Sequence, residues 1–399
     1  MIKRKCPQPS SFVLFPMRKI GILLPRSSFY AMIGPDMFEG LRSGLQQLGC
    51  GDIRICTEQI GFGADKRECY AAAERLLLQE EVSVVFAYIG HRMAQLLRPL
   101  FMSMNKVLVV LDAGSSMPQE WPSSPNILFH SLHNSLSCWL TTQMAGRDGY
   151  REMGMVTGFY DGGYLQTYAL ALGCVHGGGQ MVYNHATGYQ AHDFTMAPLR
   201  RHVTDYPAAC MLALFSGDYV QWFFDGARRH IGDVSPAVYA SGYTLEETVL
   251  RQTDFPHMPV KGVVSWSRHI SGKANEIFVH TLEEKGRAAN VFSLLGWEAA
   301  LMAVPLLDLL DREKQQGSKA LAQFREMTFE GPRGMISFHE ALHYSLSPMY
   351  EVNVVPDAEG KSALSVAATI DTPLAAFEQM TAPPLSEVVS GWYNSYVCI

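Results

Sequence analysis

At 399 residues, 48% apolar and 18% charged, the chain has material for large cores and too little charge for a disordered polymer. A net charge of −6, without a cluster of Lys and Arg, excludes a nucleic-acid surface and points to a small molecule or a protein as partner. Length alone favours two domains over one.

The amino terminus carries Lys3, Arg4 and Lys5, but the apolar run at 12–15 stops at Pro16. An export signal needs about 7–15 apolar residues. Residues 1–16 therefore read as a disordered extension or a misplaced start, with no secretion signal visible.

Short apolar runs at 19–25, 53–58, 82–88 and 107–112 read as strands, with helical stretches between them, including 36–48 and 66–79. Asp65 and Glu68 have the spacing of a capping box, and Tyr70, Ala73, Leu76 and Leu77 are expected on the buried face of the helix that follows. Apolar strands alternating with helices predict a parallel sheet buried on both faces. Ligands bind beyond the carboxyl ends of such strands, here the loops after Leu24, Tyr88 and Leu111.

A second alternation starts near Asn134: helices at 135–147, 165–175, 194–204 and 219–230, strands at 153–157, 180–184, 210–215 and 237–241. After an apolar run at 262–266 come long helices at 273–285 and 292–310, a shorter one at 321–327, and two strands at 335–338 and 349–355. The long helices pack most economically on the first lobe. The expected division is lobe one from 18–133 plus 267–331 and lobe two from 134–266 plus 332–356, with crossings near 133, 265 and 332. The tail, 357–399, has no assigned role beyond one helical stretch at 385–396.

The most hydrophobic stretch, 291–310, contains Glu298, Pro305 and Asp308, which makes it a buried helix rather than a membrane span. The eight cysteines form no Cys-x-x-Cys pair and read mostly as reduced, buried apolar residues. His339-Glu-Ala-Leu-His343 matches the zinc-protease pattern, whose chemistry needs both imidazoles on one helix face. Here the segment lies between strands, so a metallohydrolase is only a remote alternative. No nucleophile elbow, phosphate loop or dinucleotide loop occurs in the right setting, and neither catalysis nor a cofactor or metal is expected.

Four segments, in this order and spacing, carry a resemblance: Gly21-Ile-Leu-Leu-Pro25 with Ile33-Gly34 and Phe38-Glu39-Gly40; 107–112 with Ala113-Gly-Ser-Ser116; Gly154-Met-Val-Thr157 with Asp161-Gly-Gly-Tyr164; and Glu330-Gly-Pro-Arg-Gly-Met-Ile-Ser-Phe338. The chain resembles, over 18–355, the type I periplasmic-binding-protein family in its branched-chain amino acid and amide-binding branch. The resemblance implies an α/β fold of two doubly wound parallel-sheet lobes joined by several hinge crossings. It implies a solute-binding protein that captures a small amino-acid-like or amide-like molecule between the lobes for ABC-type transport. The alternative is a cytosolic small-molecule-sensing regulator of the amide-sensor type. The partners implied are a small organic solute and either an ABC permease or, if cytosolic, a regulatory protein, without membrane insertion. The location implied is periplasmic, with the cytoplasm as the reading if no signal exists.

By the same resemblance, Gly90, His91, Gly114, Ser115 and Ser116 hold the solute's carboxylate from lobe one. His91 and Arg92 stand where small hydroxyl residues are usual, and Arg92 is equally placed to face solvent. Lobe two offers Tyr160, Tyr164, Ser216 and Tyr219. The ammonium-binding acid is expected near Gly242-Tyr243, where no carboxylate sits, and Glu246 and Glu247 come a helical turn later. That departure favours a neutral, aromatic or amide-like solute. Tyr30 and Tyr243 complete the expected contacts, and Trp297 is weighed between the cleft and plain core.

Overall fold

A computed structural model describes residues 17–256, 258–385, 392, 394 and 396; the expected extension at 1–16 lies outside them. Lobe one begins with β1 (Lys19–Leu24), α1 (Ile33–Gln47), β2 (Arg54–Gln59), α2 (Lys66–Leu78), β3 (Val84–Tyr88), α3 (His91–Ser103), β4 (Val107–Asp112) and β5 (Ile127–Ser131). These strands pair in parallel in the order β2-β1-β3-β4-β5. Every residue of β3 and β4 is buried, as strands covered on both faces must be. Asp65 caps α2 by accepting from the amides of Arg67 and Glu68. The buried stripe of α2 is Cys69, Ala72, Ala73, Leu76 and Leu77. Tyr70, expected on that face, is exposed because the stripe centres on Cys69, Ala72 and Leu76, which leaves Tyr70 at its edge.

Lobe two repeats the plan with α4 (Asn134–Arg147), β6 (Glu152–Thr157), α5 (Gln166–His176), β7 (Gln180–Ala186), α6 (Ala197–Asp205), β8 (Cys210–Leu214), α7 (Tyr219–Ile231), β9 (Val238–Ala240), α8 (Glu247–Leu250) and β10 (Val260–Val264). Its parallel order is β7-β6-β8-β9-β10. The chain then returns to lobe one as α9 (Lys273–Glu284), α10 (Val291–Arg312) and α11 (Gly317–Phe324). Asn290 and Ser293 form a reciprocal capping box that starts α10. α10 crosses α1 with backbones nearly touching: a Cβ on Gly40 would stand 2.0 Å from the Ser293 carbonyl oxygen. By length and composition α10 could cross a membrane, but 78% of its most apolar window is buried inside the protein. Trp297 belongs to that core, its ring centroid 5.4 Å from Phe278, and does not face the cleft.

The last strands correct the expected lobe boundaries. β11 (Phe329–Gly331), β12 (Gly334–His339) and β13 (Tyr344–Leu346) extend lobe one beyond β5, whereas β14 (Met349–Pro356) and β15 (Ser362–Ile370) extend lobe two beyond β10. Residues 332–346 thus belong to lobe one, and the crossing falls at Ser347-Pro348 instead of near 332. The reason is pairing: β13 lies beside β5, while β14 finds β10. The tail is ordered further than expected, through β15 and α12 (Leu374–Thr381). Of the helix expected at 385–396, the described residues Leu385, Trp392, Asn394 and Tyr396 are not helical. Six described cysteines are buried, free thiols.

Between β5 and the β11–β12 turn lies a fully buried ionic cluster. The Arg333 Nε stands 3.0 and 3.1 Å from the two Glu298 carboxylate oxygens, and Nη1 donates to the Ser131 carbonyl at 2.9 Å. His130 Nε2 is 2.7 Å from Glu298, and its Nδ1 is 2.9 Å from the Ser345 hydroxyl. Burial acts to raise the Glu298 carboxyl, yet Arg333 and His130 outweigh it and hold the group below its ordinary value.

Candidate ligand site

The loops after β1 and β4 of lobe one meet the loops after β6, β8 and β9 of lobe two. Gly114 sits at φ +77°, and a Cβ there would stand 2.4 Å from the His133 nitrogen. Only glycine lets this loop lie against the hinge, where the Gly114 carbonyl accepts from the Ser135 amide at 2.6 Å. That placement buries Ser115, whose carbonyl accepts from the Leu165 amide of the opposite lobe at 3.0 Å. A second tie is the Gly217 amide, which donates to the Tyr30 hydroxyl at 3.1 Å. The lobes are closed on each other.

A chain of buried polar groups crosses the cleft. The Ser216 hydroxyl donates to Asp161 at 2.9 Å, and the Gln166 amide donates to Asp161 at 3.2 Å. Asn134 donates to the Gln166 carbonyl oxygen and, at 3.4 Å, to the Ser115 hydroxyl. Burial pushes the Asp161 carboxyl up to about 6, against the pull of Ser216 and Gln166. Asn134 and Gln166 were not foreseen; both stand at the first positions of α4 and α5, pointing their amides at the gap.

At the centre of this network is the tail's Tyr396. Its hydroxyl receives Asn134 Nδ2 at 3.0 Å and Ser115 Oγ at 3.4 Å, and donates to Gln166 at 3.2 Å. Its ring stacks on Tyr243 at 3.4 Å and 12°, with Tyr164 at 5.3 Å and Tyr30 edge-on at 6.3 Å. Its amide donates to the Tyr164 hydroxyl at 2.9 Å, and its carbonyl accepts from the Ser27 hydroxyl at 2.8 Å. It is 1% exposed. At the mouth, Phe29 stacks on Tyr219 and meets Tyr160 edge-on at 5.1 Å. Trp392 Nε1 donates to the Tyr160 carbonyl at 2.7 Å, and Asn394 donates to the Tyr88 carbonyl at 3.2 Å.

Beside the ring cage lies a small cavity lined by Asn134, Ser137, Tyr243, Glu246 and Trp266. Glu246 caps α8: its Oε2 accepts from the amides of Thr248 and Val249 at 3.1 and 3.3 Å, while Oε1 finds no hydrogen-bond partner among the described residues. Burial raises this carboxyl to about 7. The acid that spacing placed a helical turn too far along therefore lines the cavity, because the chain from Ser241 to Glu246 folds back in a turn.

Of the sequence-stated contacts, Tyr30, Ser115, Tyr164 and Tyr243 surround the Tyr396 ring, while Ser216 reaches it only through Asp161. Tyr160 and Tyr219 line the mouth with Phe29, and Ser116 is half-buried beside Ser115. Gly90 caps α3, its carbonyl accepting from the Ala94 amide at 3.0 Å. His91 turns away from the cleft, a correction to its expected role. Its ring meets Phe129 edge-on at 4.7 Å, bonds the Tyr344 hydroxyl and lies 3.6 Å from Glu120. The stacked rings of Phe129 and Tyr344 give the imidazole an apolar slot with a hydroxyl at its end. In the His339–His343 segment, His339 ends β12 and His343, at φ +55°, follows a hairpin turn. The helix a zinc protease needs is absent there, which removes the geometry of the metallohydrolase alternative.

Comparison with known proteins places these features in a wider set. The profile described as "Periplasmic binding protein" matches residues 18–361. A search of curated proteins found no match. Among solved structures, a solute-binding protein of an ABC transporter from Rhodopseudomonas palustris BisB5, in complex with 3,4-dihydroxybenzoic acid, superposes with a TM-score of 0.73 at 18% identity. The match covers 89% of this chain and 97% of that one. An ABC transporter substrate-binding protein from Sphaerobacter thermophilus gives 0.77 at 17% identity, covering 89% and 98%. An ABC-type branched-chain amino acid transporter protein from R. palustris CGA009 gives 0.73 at 15% identity, covering 92% and 98%.

Proposed function

The chain belongs to the periplasmic binding protein family, and from that premise we propose that it captures one small planar organic solute between its lobes and delivers it to an ABC permease in the periplasm. Its family and its structural neighbours are solute-binding proteins rather than enzymes. The observation that carries the reading is convergence: residues from both lobes meet around the ring of Tyr396, with aromatic side chains about it and hydroxyl and amide groups at its far end. A clamp of this kind closes because contacts to both lobes form only when a solute bridges them.

The residues around the Tyr396 ring support a reading of the solute's chemistry. Tyr243 offers a flat apolar face, and Tyr164 and Tyr30 close the sides, of a slot that suits a ring or a planar amide. Ser115, Asn134 and Gln166 fix one polar end. Glu246, with a buried oxygen lacking a partner among the described residues, takes a hydrogen-bond donor such as an amide or ammonium group. Solutes of the aromatic-acid, amino-acid and amide classes all meet this description. Four of the structural neighbours hold benzoates, including benzoate itself and 4-hydroxybenzoate, and this favours the aromatic class.

Thermal unfolding with a panel of benzoates, branched-chain amino acids and aliphatic amides tests the proposal. A true solute at a hundred times its dissociation constant adds about 2.7 kcal/mol of stability. If no panel member raises the midpoint, in either the full chain or the Tyr396→Ala variant, capture of such a solute is refuted.

A further inference from the structure

We infer that Tyr396 is an intramolecular ligand: the tail seats its phenol in the solute site, and a free solute binds only by displacing it. This rests on the solute-capture reading above and adds a tethered competitor to it.

The geometry is that of a bound guest rather than of a core residue. The side chain contacts both lobes, with Ser115 and Tyr30 on one side and Gln166, Tyr164 and Tyr243 on the other. Its only polar atom is met by three side chains, and its ring is stacked and edged by three others. The backbone at Tyr396 is held at both ends, its amide by Tyr164 and its carbonyl by Ser27. Two upstream residues hold the approach at the cleft: Trp392 on the Tyr160 carbonyl and Asn394 on the Tyr88 carbonyl.

Tethering sets the scale. A linked competitor acts at a local concentration of about millimolar order, so weak intrinsic affinity suffices to occupy the site. If the tail is out in one molecule in ten, the apparent dissociation constant of a free solute rises about tenfold, as the inverse of the competent fraction.

The experiment uses 4-methylphenol, the tyrosine side chain without its backbone, as probe. Calorimetric titration compares the full-length chain with Tyr396→Ala and with Tyr396→Phe, which keeps the ring and its packing but drops the hydroxyl. Binding to Tyr396→Ala is expected at least about tenfold tighter than to the wild type, with Tyr396→Phe between them. In the wild type, saturating 4-methylphenol is expected to speed chymotryptic cleavage of the tail, a readout that a permanent structural plug would not move. Equal affinity for all three chains, no binding to Tyr396→Ala, or a wild-type tail still protected at a hundred times the variant's dissociation constant each overturn the inference. Failure of solute capture looks different: Tyr396→Ala then takes 4-methylphenol, but no panel solute stabilises it. That outcome refutes capture of the panel's solutes and leaves the displaceable phenol standing.

Discussion

Replacing Glu246 with Gln removes a buried charge with almost no change of shape. The wild-type carboxyl is 3% exposed, with its pKa raised by burial from 4.5 to about 7. The sign follows from proton counting. Between pH 4.5 and 7 the folded protein keeps a proton that the unfolded chain has lost, so stability falls as pH rises through that window and is level above it. The gap of 2.5 pH units corresponds to about 3 kcal/mol at pH 8. Gln escapes that loss but caps α8 less well, at a cost of about 1 kcal/mol. Glu246→Gln should therefore be slightly less stable than the wild type at pH 4 and more stable by about 2 kcal/mol at pH 8. Urea unfolding of both proteins at the two pH values measures the crossover. If their stabilities move in parallel from pH 4 to pH 8, the carboxyl is not held neutral by its surroundings and the argument fails.

Two further substitutions probe the framework. Arg333→Met leaves Glu298 buried without its guanidinium partner and should cost about 3–5 kcal/mol in urea unfolding, with much of the loss recovered in Arg333→Met/Glu298→Met; a loss below about 1 kcal/mol for the single change contradicts the ionic reading. Gly40→Ala forces a methyl to within 2.0 Å of the Ser293 carbonyl oxygen and should cost about 1–3 kcal/mol. Gly51→Ala, whose nearest neighbour stands 3.6 Å away, is the control, and equal losses for the two would show that α1 and α10 are not in close contact.

Much of the framework was legible because its signals are local. Residues 82–88 and 107–112 are apolar without alternation, the mark of strands covered on both faces, and both became central strands of lobe one. β5 was missed for a non-local reason. His130 and Ser131 break its apolar run, and they are tolerable inside only because Glu298, Arg333 and Ser345 arrive from far along the chain. β15, rich in Ala and Ser on an edge, has little pattern to read. The site divides in the same way. Ser115 and Tyr164 were named by the family resemblance and lie in loops at strand ends, whereas Asn134 and Gln166 are polar residues opening helices until the lobes meet. Tyr396 is separated by 230 to 281 positions from Gln166, Asn134 and Ser115, and nothing in its neighbourhood announces a guest in the cleft.

The contact of α1 with α10 has a consequence for synthesis on the ribosome. α1 emerges early, but the helix that covers its apolar face is encoded some 250 residues later, after the whole run from α4 to β10. That run is continuous and lacks only the edge strands β14 and β15, so it can pack while the earlier half still waits with an uncovered surface, in need of protection from aggregation. Nascent-chain proteolysis should find the second-made lobe resistant first, an inversion of the order in which the two are translated.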